Sequence, residues 1–235
     1  MNVRTTIVFS SLALIYLATL PLTPYVAQFL PKALPIVVLA VFAYTKLSAM
    51  PRYMVLAALL FSLAGDVSLA LPFADSFITG LACFFVAHLT YAMCFALLHR
   101  RLQETPGDHI ISRKPKWFIS IIMVSFAVMM AVHILPASKA LFYPVVAYIS
   151  VITLMGLTAV WLAQTKLIVT GALFFVISDA ILAQSVFKTP LPLSTIWVMT
   201  TYYGAQYCLT MGLVDAFLRK ENRQEGRISV VPSRS

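Results

Sequence analysis

Long apolar runs constrain this chain more than any other feature. Eight of them, at roughly 5–21, 33–49, 53–71, 77–98, 117–135, 139–163, 168–187 and 193–218, are bounded by Pro21, Pro31, Pro51, Pro72, Pro136, Pro190 and Pro192. Most approach or exceed the roughly 20 residues that cross about 30 Å of hydrocarbon. In lipid a chain must satisfy its own backbone polar groups, and runs of this length do so as helices. The 235 residues are 61% hydrophobic and 11% charged, and the mean hydropathy of +0.91 leaves too little polar surface for a soluble domain. The expectation is an all-α fold: a polytopic transmembrane helical bundle of eight helices. Residues 1–218 form a single transmembrane domain, and 219–235 a basic tail without fixed structure.

A formal net charge of +9 suggests a nucleic-acid partner until the charges are located. They lie between and beyond the apolar runs, where they signal topology, and no nucleic-acid partner is expected. With the N-terminus on one side and eight alternating spans, every lysine and arginine except Lys32, Lys139 and Lys188 falls on that same side. By the positive-inside rule that side, with both termini, is cytoplasmic. The tail, "RKENRQEGRISVVPSRS", suits a solvated cytoplasmic end or contact with anionic lipid. The N-terminal run lacks a convincing small-residue cleavage site and reads as a retained first helix. Cys83, Cys94 and Cys208 all lie inside apolar runs with no CxxC, which argues against a disulfide framework or zinc knuckle. Nothing in the sequence sets the oligomeric state.

Two carboxylates stand inside the spans: Asp66 in "FSLAGDVSLAL" and Asp179 in "FFVISDAILA". An aspartate at a helix centre costs about 2.5–3.5 kcal/mol on insertion scales, and intramembrane ionisable groups mark function. At 1.5 Å per residue, Asp66 lies roughly 8 Å and Asp179 roughly 12 Å below the non-cytoplasmic ends of their helices. The two could therefore share one cavity. The packing alternative is a buried aspartate satisfied by Ser, Tyr or Gln from neighbouring helices. "GDVSLA" and "SDAILA" also echo one another four spans apart, as in a parallel repeat or by chance. His88 in "FFVAHLTYAMCF" has Tyr91 at i+3 on the same face, and is either a packing histidine or a carboxylate partner. Tyr203 and Gln206, with Tyr202 and Tyr207 beside them, can join helices or line a site. Lys32 stands at a helix start, where a cation and free amides suit a phosphate, or where it snorkels as an interfacial anchor. Phe84, Phe85, Phe174 and Phe175 read as core or lipid-facing. Zinc catalysis usually needs three protein ligands. No HxxxH, HExxH or CxxC supplies them, and no GxGxxG, Walker loop or GxSxG occurs. No metal or cofactor is expected.

The segments "KALPIVVL" (32–39), "LLFSLAGDVSLAL" (59–71), "FITGLACFFVAHLTYAMCF" (77–95), "GALFFVISDAILA" (171–183) and "TTYYGAQYCLTMG" (200–212) together resemble the YhhN-type integral-membrane family. Its characterised members are lysoplasmalogenases. The resemblance implies a hydrolase that cleaves the vinyl ether of a lysoplasmalogen to a fatty aldehyde and glycerophospho-ethanolamine or -choline. It implies that Asp66 and Asp179 are the catalytic pair. His88, Tyr91, Tyr203 and Gln206 would then line or orient, and Lys32 would meet the phosphate. Protonating a vinyl carbon needs an acid that stays protonated near neutral pH. Two carboxylates in unlike low-dielectric surroundings are a general way to provide an acid beside a base. The partners implied are a lysophospholipid substrate and membrane lipids, and a bacterial source would imply the inner membrane. Intramembrane carboxylates also suit a proton-coupled transporter, and a non-catalytic lipid-binding protein is the third reading.

Overall fold

The structure is a computed structural model that describes residues 3–25, 27–103, 113–163 and 165–228. Among these residues there is no strand, and eight α-helices follow in chain order: α1 (Val3–Thr19), α2 (Phe29–Lys46), α3 (Ala49–Ala70), α4 (Ser76–Gln103), α5 (Arg113–Ser138), α6 (Phe142–Thr158), α7 (Lys166–Phe187) and α8 (Ser194–Ile228). Helix α2 begins before Pro31, earlier than expected, because proline is tolerated in a first turn, where its missing N–H has no helical acceptor. A 3₁₀ turn at Lys139–Leu141, with Lys139 at φ 47°, reverses the chain between α5 and α6. A π-helical turn at Ala159–Ala163 continues α6. The middle of the long loop, 104–112, and the end of the basic tail, 229–235, lie outside the described residues.

Among the described residues six stretches are long and apolar enough to cross a membrane, and Lys114–Ala163 holds both α5 and α6. The protein is a polytopic integral membrane protein. Helix α8 is not among the six. Tyr202, Tyr203, Gln206 and Thr210 lower its hydropathy, yet all four are buried in the bundle. Hydropathy treats every residue as if it met lipid, so it undervalues a helix whose polar face meets protein. At 35 residues α8 is about 52 Å long, more than the hydrocarbon requires, and it continues past residue 218 to Ile228.

The most extensively packed helix pairs are the hairpins α3–α4 and α7–α8. Small residues permit both. A Cβ on Gly65 would come within 2.7 Å of the Phe84 ring, and one on Gly171 within 2.9 Å of the Leu209 backbone nitrogen. Helices α1 and α2 close one flank against α8, while α5 and α6 close the other against α4 and α7. The first hairpin carries Asp66, His88 and Tyr91, and the second carries Asp179, Tyr202, Tyr203 and Gln206.

Candidate active site

Lys32, in the first turn of α2, meets Asp66, in the last turns of α3, because the two helices pack side by side. Lys32 Nζ is 3.3 Å from Asp66 Oδ1 and donates to the Asp66 backbone carbonyl at 3.2 Å. Tyr202 of α8 donates to Asp66 Oδ2 at 2.6 Å, and its neighbour Tyr203 donates to the Lys32 carbonyl at 2.8 Å. Tyr16 of α1 packs edge-on against Tyr203. Gln28, before α2, donates to the Ala70 carbonyl at the end of α3. The result is a closed ion pair in which the Asp66 side chain is 3% exposed.

Asp179 sits differently. Its Oδ2 accepts from Tyr148 of α6 at 2.6 Å and lies 3.2 Å from His88 Nε2, which is itself 3.1 Å from the Tyr148 hydroxyl. With its proton on Nε2 the imidazole donates to the carboxylate. The Phe175 ring packs nearly perpendicular to the His88 imidazole, with centroids 4.5 Å apart. The Asp179 side chain is 13% exposed. It opens onto a partly open cavity of about 80 Å³ lined by α3 to α7, whose wall is apolar apart from Asp179, Tyr148 and Thr153.

An aromatic cluster connects the surroundings of the two carboxylates: Tyr202 is bonded to Asp66, and Phe175 packs on His88 beside Asp179. Phe84, Phe175 and Tyr202 contact one another edge to face, with centroids 5.5–6.3 Å apart. Among the described residues no hydrogen bond joins Asp66 to Asp179, and Asp66 is not part of the cavity wall. The hairpins nevertheless exchange partners: Asp66 of the first is held by Tyr202 of the second, and Asp179 of the second by His88 of the first.

The residues singled out from sequence therefore form three groups. Lys32, Asp66 and Tyr203 meet in one, and His88 and Asp179 in another. Tyr91 and Gln206 form the third, fully buried, with the Tyr91 hydroxyl donating to Gln206 Oε1 at 2.6 Å. Lys32 is turned onto Asp66 rather than outward to an interface. Sequence reasoning missed Tyr148 altogether and gave Tyr202 only a place beside Tyr203. The available signal for Tyr148 was a tyrosine deep in the otherwise apolar "FYPVVAYISVITL". Among the described residues no three of His, Cys, Asp and Glu gather as metal ligands would.

The model of the YhhN family matches residues 27–213, most of the chain. The chain belongs to the YhhN family. The match includes every residue of the three groups. Among curated proteins, the chain is 35% identical over 185 residues to lysoplasmalogenase TMEM86B of Homo sapiens, covering 77% of this chain and 73% of that one. Lysoplasmalogenase TMEM86A of Homo sapiens is 29% identical over 168 residues, covering 67% and 64%. Lysoplasmalogenase TMEM86B of Sus scrofa is 31% identical over 169 residues, covering 70% and 65%. The similarity thus spans just under two thirds of the length of some of these relatives. No solved structure matches this YhhN chain.

Proposed function

We propose that the protein is a membrane-embedded lysoplasmalogenase that hydrolyses the vinyl ether of a 1-alkenyl-glycerophospho-ethanolamine or -choline. The observation that carries the proposal is Asp179, a carboxyl group held by Tyr148 and His88 on the wall of an otherwise apolar cavity. Relatives named for this activity support it. A single alkenyl chain fits such a wall, and its one reactive group meets the one carboxyl there.

Asp179 is the acid. Its proton goes to the vinyl carbon farther from oxygen, and the double-bond electrons form the new C–H bond. The carbon attached to oxygen becomes an oxocarbenium ion. The Asp179 carboxylate then takes a proton from water as the water oxygen bonds to that carbon, which restores the acid; Asp66, held by Lys32 and Tyr202, is a fixed charge beside it in the bundle. The hemiacetal then collapses to aldehyde, and the glycerol oxygen leaves with a proton. One water is consumed, and the sequence of steps calls on no cofactor. Tyr203 holds the Lys32 backbone, so Lys32 stays on Asp66, and a phosphate contact would require it to leave that partner. Eight helices cross the membrane with both termini cytoplasmic, as one domain with a basic tail. In a bacterial host the membrane is the inner one.

The test is aldehyde release by the purified protein in detergent from a 1-alkenyl lysophospholipid. Activity in the wild type and its loss in Asp179→Asn and Asp66→Asn are expected. Movement of intact lipid across sealed vesicles with no aldehyde formed would instead make the protein a transporter.

A further inference from the structure

The cavity beside Asp179 runs to one end of the bundle. Leu69, Phe77 and Phe187 line it within one turn of the ends of α3, α4 and α7, while its far wall, at Phe126, Thr153 and Val176, stops at mid-helix. Along its sides α4 packs on α6, α6 on α5 and α5 on α7, and His133 of α5 is hydrogen-bonded to Gln184 of α7 at 2.9 Å. The mouth is therefore at the helix ends, where the part-exposed rings of Phe77 and Phe187 meet edge to face with centroids 5.7 Å apart. By the distribution of lysine and arginine this end is non-cytoplasmic.

Charge is scarce on that side, and it gathers around the mouth. The three lysines there are Lys32, Lys139 and Lys188, and Lys32 is taken up by Asp66. Lys188 directly follows Phe187, and Lys139 stands in the turn between α5 and α6. The Tyr148–Asp179 hydrogen bond fixes the register of α6 against α7. Lys139 is nine residues before Tyr148 and Lys188 nine after Asp179, so each stands about 13 Å from that pair toward the same end. Asp75, the one acidic residue in a loop on that side, precedes Phe77 by two residues. All three groups are exposed, and among the described residues none forms an ion pair. A lysophospholipid with its vinyl ether at Asp179 carries phosphorus six bonds from the reacting carbon, about 7 Å away when extended. A lysine stem reaches roughly 6 Å. Together these lengths match the rise of about 13 Å to either lysine.

We propose that Lys139 and Lys188 bind the substrate phosphate at this mouth, and that Asp75 meets the ammonium beyond it. The assignment rests on the proposed hydrolysis. The ligand is a zwitterionic lysophospholipid presented from the non-cytoplasmic side, its vinyl ether at Asp179 and its alkenyl chain along the apolar wall. Lys32 stays with Asp66, so binding the phosphate breaks no buried ion pair. The glycerophospho-headgroup freed by hydrolysis leaves by the mouth it already occupies.

The test pairs turnover with binding, using the full chain in mixed micelles of fixed composition. The turnover substrate is a 1-alkenyl-glycerophosphocholine, and the binding probe is its 1-alkyl analogue, which has no vinyl bond to protonate. Lys139→Gln with Lys188→Gln is expected to raise KM and the probe Kd about 10-fold with kcat unchanged, the worth of charge-assisted contacts at an exposed rim. Lys139→Arg with Lys188→Arg should keep the wild-type values. With 1-alkenyl-glycerol, which lacks the phosphate, the wild type and the double Gln variant should share one KM. Asp75→Asn should raise KM about 3-fold for the phosphocholine substrate, the worth of one exposed ion pair, with no rise for 1-alkenyl-glycerophosphate. Lys188→Gln alone leaves the turn at Lys139 intact and decides the matter if the double variant fails to fold. Unchanged KM and Kd in the Gln variants, or an equal rise with 1-alkenyl-glycerol, overturns the phosphate site. An equal rise with both phosphate substrates in Asp75→Asn overturns the ammonium contact. If aldehyde forms while KM and Kd ignore the lysines, the headgroup site alone fails. If no aldehyde forms but the probe Kd depends on the lysines, the headgroup site stands and the hydrolase reading fails.

Discussion

Asp66 and Asp179 occupy similar sequence contexts, and each accepts a tyrosine hydrogen bond at 2.6 Å. Their other partners differ. Asp66 is matched by a lysine and closed off, with its side chain 3% exposed. Asp179 is matched by an imidazole, which can be neutral or charged, and is 13% exposed toward a cavity. A carboxylate fixed to a cation is a stationary charge. One beside histidine and tyrosine on an open wall can exchange a proton with whatever enters. The same residue type thus acquires two roles from groups far away in the chain.

The largest effect that would sharpen this contrast is on chemistry. Asp179→Asn is expected to lower kcat about 10²–10⁴-fold, the usual worth of a positioned acid, while the folded protein still elutes as wild type. Aldehyde release and size-exclusion chromatography read the two outcomes, and unfolding of this variant would break the comparison. Asp66→Asn leaves the Lys32 ammonium buried without its counter-charge, at a cost of about 3–5 kcal/mol. Its thermal unfolding midpoint is expected to fall well below that of Asp179→Asn. The double replacement Lys32→Met with Asp66→Leu should recover stability without recovering turnover. Next come the tyrosines: each Phe variant removes one hydrogen bond to a carboxylate, worth about 1.5–3 kcal/mol. Tyr202→Phe is expected to show this in unfolding temperature, and Tyr148→Phe in kcat. The smallest effect is at Ala183, one turn beyond Asp179 on the cavity wall. Ala183→Leu fills space meant for the chain and should raise KM about 10-fold. An unchanged KM would detach the cavity from the substrate.

Much of the fold was legible because a helix in lipid is decided by local quantities. Run length, proline breaks and the placement of lysines and arginines mark the helices one by one. Boundaries moved where a local rule was applied too strictly, as at Pro31 in the first turn of α2, or where a helix outgrew the lipid, as in α8. The candidate residues were legible because polar groups are rare in apolar runs. Tyr148 escaped because a tyrosine is common in such runs and carries no sign of which way it faces.

By itself the sequence determined that this chain lies in the membrane as helices, and that Asp66, Asp179, His88, Lys32 and the polar face of α8 are set within them. Each of these follows from the transfer energy of single residues. Only the tertiary structure decided that Lys32 closes on Asp66, that His88 and Tyr148 close on Asp179, and that Phe84, Phe175 and Tyr202 cluster against both groups. Those pairings depend on the rotation of each helix about its axis and on close approaches at Gly65 and Gly171. That information is shared among helices and written in none of them alone.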